Sequence, residues 1–145
     1  MNKKYLLDVN VLVALTSDEH EHYQEAHRWF DPLTGDQWAV CPLTETGYIR
    51  LAANPATRVG PGSIERAAEV LAEVANLPGY RYWPITQSWA ELTAPFANRI
   101  LGHQQVTDAY LLALSIKEEG ILVTFDRGIK YMAGAEFNRN VLVLG

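Results

Sequence analysis

Short apolar runs alternate along the chain with longer stretches in which apolar residues recur every three or four positions. Short runs flanked by turn-forming residues are typical of buried strands, and recurrence at helical spacing indicates an amphipathic helix. The pattern predicts strands over residues 5–7, 37–41, 80–83, 121–124 and 141–144. Because helical segments separate these strands, we expect an α/β fold with a parallel sheet and helices on both of its faces.

Helices are predicted over residues 9–15, 23–30, 44–52, 63–74, 88–98, 106–116 and 127–132. We expect Thr44 and Ser63 to be the N-caps of the third and fourth helices, because their hydroxyl groups can accept a hydrogen bond from a free backbone N–H. Pro95 should disturb the fifth helix and Gly120 should end the sixth. Residues 54–62 are rich in turn formers and give the clearest loop.

Composition narrows the class of protein. The 145 residues fit one domain, residues 1–145, and 48% are hydrophobic and 20% charged, which is typical of a globular protein. The single cysteine excludes an internal disulfide and a cysteine-based zinc site. No apolar stretch approaches the ~20 residues of a membrane-spanning helix, so we expect a soluble, cytoplasmic protein with no membrane partner. The net charge of −5 argues against a broad basic surface that coats nucleic acid, but not against an enzyme that reaches phosphates through a bound metal.

Acidic residues recur where predicted strands end and predicted helices begin. They are Asp8, Glu45, Asp108 and Asp126. Asp8 and Asp126 directly follow predicted strands, and in a parallel sheet the carboxyl ends of the strands meet at one edge. Glu45 and Asp108 lie near the starts of helices that run back antiparallel to the strands, so they also begin at that edge. The pattern therefore predicts a cluster of carboxylates there.

Clustered carboxylates raise one another's pKa, and a hard divalent cation such as Mg²⁺ or Mn²⁺ removes that conflict. Such a site suits metal-assisted hydrolysis of a phosphodiester by water. Asn10 and Thr124 are short polar residues beside the cluster, where they could orient a carboxylate or a metal-bound water. The alternative is that the acids are unrelated helix caps, since the helix dipole favours acids in first turns. Asp8 is the hardest to explain in that way, because apolar residues flank it on both sides.

Four segments resemble the conserved blocks of PIN-domain nucleases, and most closely those of VapC-type toxins of bacterial toxin–antitoxin pairs. They are residues 6–12, 44–51, 106–113 and 123–128. The resemblance implies a compact three-layer α/β/α domain around a mostly parallel sheet of about five strands. It further implies RNA cleavage that depends on Mg²⁺ or Mn²⁺, a homodimer, and an antitoxin protein that blocks the site. The four acids match the acidic positions of the family, and Asn10 and Thr124 match positions that often carry Ser, Asn or Thr.

Weaker candidates are cations near these blocks. Arg50 could contact RNA phosphate or an acid of the antitoxin, and Arg127 could help to hold substrate, although both could equally be solvated. His103 precedes the Asp108 block and could touch substrate, but metal-activated water needs no histidine base. The stretch 20–22 (His-Glu-His) resembles a metal-binding tract, yet such residues in a polar segment are usually solvated.

Two other classes of protein compete with the nuclease. A non-catalytic module that binds RNA or protein would have no reason to keep four acids together. A receiver-type signalling domain needs an aspartate after its third strand, and here that strand ends in Trp83-Pro84-Ile85, which excludes it. The leading hypothesis is therefore a metal-dependent endoribonuclease that acts as a toxin.

Overall fold

The computed structural model describes residues 2–145 and contains one parallel sheet of five strands. The strands are β1 (Lys4–Leu7), β2 (Gln37–Val40), β3 (Tyr80–Tyr82), β4 (Ile121–Thr124) and β5 (Val141–Val143). Their order across the sheet is β3-β2-β1-β4-β5, and every neighbouring pair is parallel. All five strands are those that the hydrophobic pattern predicts, with ends that differ by at most one residue.

The helices follow the predicted order. They are α1 (Val9–Thr16), α2 (Tyr23–Phe30), α3 (Pro42–Ala52), α4 (Ile64–Val74), α5 (Trp89–Thr93), α6 (Val106–Lys117) and α7 (Arg127–Ala133). Short 3-10 turns cover Ala94–Arg99, His103–Gln105 and Asn138–Asn140. Ser63 caps α4 as predicted, since its hydroxyl accepts from the N–H of Arg66. None of the helices in residues 2–145 has the length and apolar character needed to cross a membrane.

The sheet separates two hydrophobic layers, because successive side chains of a strand point to opposite faces. Leu6 of β1 packs with residues of α5, α6 and α7 on one face. Tyr5 and Leu7 of the same strand pack with α1, α3 and α4 on the other face. These layers confirm the expected three-layer α/β/α architecture.

The start of α3 differs from the prediction. The helix begins at Pro42 with Cys41 as its N-cap, so the prediction that Thr44 is the cap is wrong. Proline suits the first helical position, because its missing N–H would have no partner there and its φ is already helical. Thr44 lies within the first turn of the helix, fully buried, and its hydroxyl donates to the carbonyl of Leu7 at 2.9 Å.

The fifth and sixth helices end for reasons that the sequence shows only in part. Pro95 disturbs the fifth as predicted, since α5 stops at Thr93 and a 3-10 turn follows. After α6, the left-handed position belongs to Glu119 (φ 56°) and not to Gly120. Glycine is needed at position 120 for space, because a Cβ there would lie 2.9 Å from the ring of Trp83.

Candidate active site

The strand order reverses beside β1. The chain runs from β1 through β2 to β3 on one side of the sheet, and then crosses to β4 and β5 on the other side. Open parallel sheets bind ligands at such a switch point, outside the carboxyl ends of the two strands that flank it. Asp8 follows β1 and Asp126 lies just beyond β4, so both lie where the fold leaves room for a ligand.

Asp8 is buried at this point, with 6% of its surface exposed. One carboxylate oxygen, Oδ1, accepts from the N–H of Val9 at 2.7 Å, so Asp8 is the N-cap of α1. The other oxygen, Oδ2, accepts from the hydroxyl of Thr124 at 2.7 Å. Burial raises the pKa of Asp8, and the charge of Asp126 adds to that rise against the lowering effect of the two hydrogen bonds.

Thr124 joins the two strand ends. Its Oγ1 donates to Asp8 and accepts from the backbone N–H of Asp126 at 2.9 Å. Asp126 is exposed and caps α7, since its Oδ1 accepts from the N–H of Gly128 at 2.8 Å. Asp8 and Asp126 are therefore helix caps, as the alternative interpretation proposed, and they also face each other across the switch point.

Asp108 completes a group of three aspartates. It lies half-buried in the first turn of α6. Burial, followed by the charges of Asp8 and Asp126, raises the pKa of Asp108 to about 7. None of the ion pairs in residues 2–145 involves Asp8, Asp108 or Asp126, so no basic side chain lies within ion-pair distance of these carboxylates. Like charges held together in this way are typical of functional sites.

Glu45 stands apart from the three aspartates. It is half-buried in the first turn of α3, and burial alone raises its pKa, with no contribution from another carboxylate. The bond from Thr44 to Leu7 anchors this turn next to the end of β1. The structure therefore places Glu45 at the same edge of the sheet, but outside the electrostatic group.

Close packing of α1 against α3 sets this position. A Cβ on Gly47 would lie 2.5 Å from Cγ2 of Val9, so only glycine allows the two helices to approach this closely. Val9 follows Asp8 directly, and Gly47 is two residues beyond Glu45. The contact therefore holds the first turns of both helices side by side at the carboxyl edge.

Comparisons with known proteins agree with this geometry. The family model described as PIN domain matches residues 5–135. The chain belongs to the PIN-domain family. It is 36% identical to Ribonuclease VapC39 of Mycobacterium tuberculosis over 130 residues, which are 90% of this chain and 94% of that protein. The predicted resemblance to VapC-type PIN domains is thereby confirmed.

Solved structures with the same fold include VapC toxins. The crystal structure of VapC20 from Mycobacterium tuberculosis, a toxin that cleaves the sarcin–ricin loop, matches with a TM-score of 0.67 and 16% identity. The match covers 90% of this PIN domain and 95% of VapC20. A toxin–antitoxin complex from Klebsiella pneumoniae matches with a TM-score of 0.64 and 21% identity over 96% of each chain. At these identities the likeness shows the fold.

The remaining candidates of this PIN domain lie outside the group of three aspartates, and Arg50 is in the last turn of α3. Asn10 is half-buried, and its Oδ1 accepts from the N–H of Phe125 at 3.4 Å, so it contacts the backbone that leads to Asp126. Arg50, His103 and Arg127 are exposed. Arg127 is next to Asp126 in the chain, and His103 lies in the 3-10 turn that precedes α6.

Two side chains near the site were not singled out by sequence as neighbours of the acids. The ring of His22 stacks on Phe125 with the centroids 4.7 Å apart, so this end of the polar stretch 20–22 covers the loop that carries Asp126. Gln105 lies in the turn before α6 and faces Gly128. The sequence offers only one indication of Gln105: it is a polar residue just before a helix that carries an acid. Many surface residues share this property.

The acids do not converge on one point as they stand. Within residues 2–145, no three carboxylate, imidazole or thiol groups are close enough together to hold a metal ion. Carboxylates that are not offset by a cation repel one another, which favours a spread arrangement.

Proposed function

We propose that this PIN domain is a metal-dependent endoribonuclease and the toxin of a toxin–antitoxin pair. The observation that carries the proposal is the group Asp8, Asp108 and Asp126 at the switch point, with no basic partner and with the pKa of Asp108 raised to about 7. The name of the relative that is 36% identical, Ribonuclease VapC39, supports RNA as the substrate.

The donor atoms fit a hard divalent cation. Carboxylate oxygens are the ligands that Mg²⁺ and Mn²⁺ prefer, and the excess of negative charge here is what such a cation neutralises. Asp8, Asp108 and Asp126 would hold the ion, and Glu45 would add a fourth carboxylate from the neighbouring helix. When bound, the ion supplies an activated water and neutralises charge on the phosphate.

The residues of the chain orient these ligands. Thr124 and the N–H of Val9 fix both oxygens of Asp8, so its carboxylate cannot rotate freely. The N–H of Gly128 fixes Oδ1 of Asp126 in the same way, whereas Oδ2 makes no hydrogen bond within residues 2–145. Prealigned ligands lower the reorganisation that catalysis requires. Asn10 holds the backbone between Thr124 and Asp126 through the N–H of Phe125.

Exposed basic side chains outside the acidic group are assigned to substrate binding. Arg50 and Arg127 are exposed, and their guanidinium groups can each bind a phosphate of the RNA backbone through two N–H groups. His103 lies in the exposed turn before α6, where it can touch a base or a sugar. The alternative, a module that binds RNA without cutting it, uses the same cations but gives the three aspartates no task.

A protein partner and a second copy of the chain complete the proposal. A nuclease that cuts cellular RNA needs an inhibitor, and the VapC relatives together with the toxin–antitoxin complex from Klebsiella pneumoniae support a cognate antitoxin as that inhibitor. The family resemblance also supports a homodimer.

The test is cleavage of a mixed RNA pool by purified protein with Mg²⁺, with Mn²⁺ and with a chelator. We expect metal-dependent cutting by the wild type and by the control Asp36→Asn, whose acid lies at the opposite edge of the sheet. Asp8→Asn should lose the activity, because it lacks one anionic ligand. Its circular dichroism should stay unchanged. Binding of RNA without cutting under any metal condition would favour the non-catalytic module. Cutting by Asp8→Asn in the presence of chelator would exclude the acidic site.

A further inference from the structure

Gln105 is the last residue of the 3-10 turn that precedes α6, and it is also the N-cap residue of that helix. Asp108 follows one turn later on the same helix. Gln105 is half-buried, whereas its neighbour Gln104 is exposed. Gln105 therefore places a long neutral side chain at the start of α6, the helix that carries Asp108.

A hydrogen bond fixes the orientation of the Gln105 amide. The backbone N–H of Leu101 donates to Oε1 at 2.8 Å. Because only the oxygen of a carboxamide can accept, the two N–H groups of Nε2 must point the other way. The loop from Leu101 to Gln105 thus sets the amide before any ligand arrives.

The amide nitrogen faces the same small space as Asp126. A Cβ placed on Gly128 would lie 3.1 Å from Oδ1 of Asp126 and 3.7 Å from Nε2 of Gln105. The two groups therefore both line the gap that glycine leaves open at the start of α7. Within residues 2–145, Nε2 makes no hydrogen bond, so both of its N–H groups are available.

Nε2 is a hydrogen-bond donor, whereas the neighbouring aspartates are acceptors. The three aspartates are anionic acceptors, and they repel the phosphate of an approaching RNA. A phosphate oxygen needs donors, and a carboxamide supplies two without adding a charge that would compete for a cation. An unpaired donor beside Asp126 is thus placed to hold a phosphate that the carboxylates alone would reject.

We propose that Gln105 is a substrate-binding residue whose Nε2 donates to a non-bridging phosphate oxygen of RNA bound across the gap between Asp126 and α6. This inference rests on the proposed nuclease function, because RNA is the substrate it assumes. It assigns the gap at Gly128 as the place where the RNA backbone passes the acidic group.

The decisive variant is Gln105→Glu, which keeps an oxygen to accept from Leu101 and replaces the donor with an anion. Gln104→Glu is the matched control, because it adds the same charge one residue away on the same turn. Steady-state cleavage of an RNA oligonucleotide at saturating Mg²⁺ gives kcat and KM, and fluorescence anisotropy of the labelled oligonucleotide with chelator present gives Kd without cleavage.

We expect Gln105→Glu to raise KM and Kd by about tenfold or more, as is typical when a hydrogen bond to a charged group is lost. Gln104→Glu should stay within about twofold. Gln105→Met removes the donor without adding a charge, so its Mg²⁺ concentration for half-maximal rate should not change. Equal KM and Kd for Gln105→Glu and Gln104→Glu would overturn the inference. So would a shift in the Mg²⁺ requirement of Gln105→Met as large as its change in KM, because Gln105 would then act on Asp126 and not on RNA.

Two further results separate this inference from the proposed function. If the wild type binds RNA without cutting it, the nuclease is excluded, and a tenfold weaker Kd for Gln105→Glu still supports the contact. If the wild type neither binds nor cuts RNA, both proposals fail. Should Gln105→Glu not fold, Gln105→Met replaces it, because methionine keeps the length of the side chain and removes the donor; the same rise in KM and Kd is expected.

Discussion

The two edges of the central sheet use polar residues in opposite ways. At the amino edge, two pairs of polar groups are hydrogen-bonded: the N–H of Lys3 donates to Asp36 at 2.6 Å, and Asn140 donates to the carbonyl of Gly120 at 2.9 Å. At the carboxyl edge, Asp8, Asp108 and Asp126 face one another with no basic side chain in the described chain to offset them.

The difference shows which edge the chain uses for stability and which for chemistry. Paired polar groups contribute ~1 kcal/mol each to the free energy of unfolding. Crowded carboxylates lower that free energy, and a protein keeps them only where another requirement outweighs the loss. The contrast therefore supports the assignment of the carboxyl edge as the active site, independently of any motif.

The largest expected difference in activity is between two variants, each of which replaces one acid at one edge of the sheet. Asp108→Asn should lower kcat/KM for RNA about a thousandfold or more, because it removes a charged ligand. Without metal at pH 8, the same change should raise the free energy of unfolding by up to ~1 kcal/mol, after allowance for solvent screening of a half-exposed group. Asp36→Asn should leave activity within about twofold and lower stability by ~0.5 kcal/mol. Cleavage kinetics and urea denaturation measure both quantities.

Loss of stability in Asp108→Asn would contradict this contrast, because it would mean that the carboxylate contributes to the fold. Loss of activity in Asp36→Asn would mean that the amino edge also takes part in function.

A smaller effect is expected at Glu45, which lies at the carboxyl edge but outside the mutual coupling of the aspartates. Glu45→Gln should lower kcat/KM about ten- to a hundredfold, since a peripheral ligand can be replaced by water more easily than a central one. The Mg²⁺ concentration for half-maximal rate should rise as well. If Glu45→Gln is as damaging as Asp108→Asn, Glu45 belongs to the central group and the helices must move together when the ion binds.

The smallest effect is a dependence of stability on pH. The folded state raises the pKa of Asp108 from its ordinary 3.8 to about 7. Between these values the folded protein keeps a proton that the unfolded chain releases, so the free energy of unfolding should fall as the pH rises from about 4 to 7 without metal. The raised pKa of Asp8 acts in the same direction. Urea denaturation from pH 4 to pH 8 measures the slope, and Asp108→Asn is the control that should reduce it to the smaller slope that Asp8 contributes.

Magnesium should change the dependence of stability on pH. Because the ion binds the deprotonated carboxylates, we expect it to raise the melting temperature more at pH 8 than at pH 5. An equal rise at both pH values would show that the ion binds elsewhere.

Much of the fold could be predicted from local pattern, and the errors are instructive. The hydrophobic runs identified all five strands, because a strand buried on both faces must be apolar whatever surrounds it. Thr44 was assigned as a helix cap on its residue type, but the preceding Pro42 starts the helix first. Gly120 was read as the residue that ends α6, while space beside Trp83 is what requires it.

The site was predictable only as a set of candidates. Acids at the ends of strands suggested one edge, and the structure gathers Asp8, Asp108 and Asp126 there. Glu45 looked equivalent in the sequence, yet it lies outside this group. Gln105 lies outside the four blocks, and nothing in the block 44–51 marks Gly47 as special, although one faces the gap beside Asp126 and the other sets the distance between α1 and α3.

The sequence by itself determined the type and order of the elements and the positions of the acids along the chain, because periodicity and turn chemistry act between near neighbours. Only the tertiary structure decided which acids meet and which side chains surround them. That outcome depends on the strand order β3-β2-β1-β4-β5, which brings residues 8 and 126 together across more than a hundred positions. It also depends on helix contacts set by single atoms, such as the missing Cβ of Gly47. A local sequence pattern encodes neither the distance between Asp8 and Asp126 nor the distance between α1 and α3, since both result from tertiary packing.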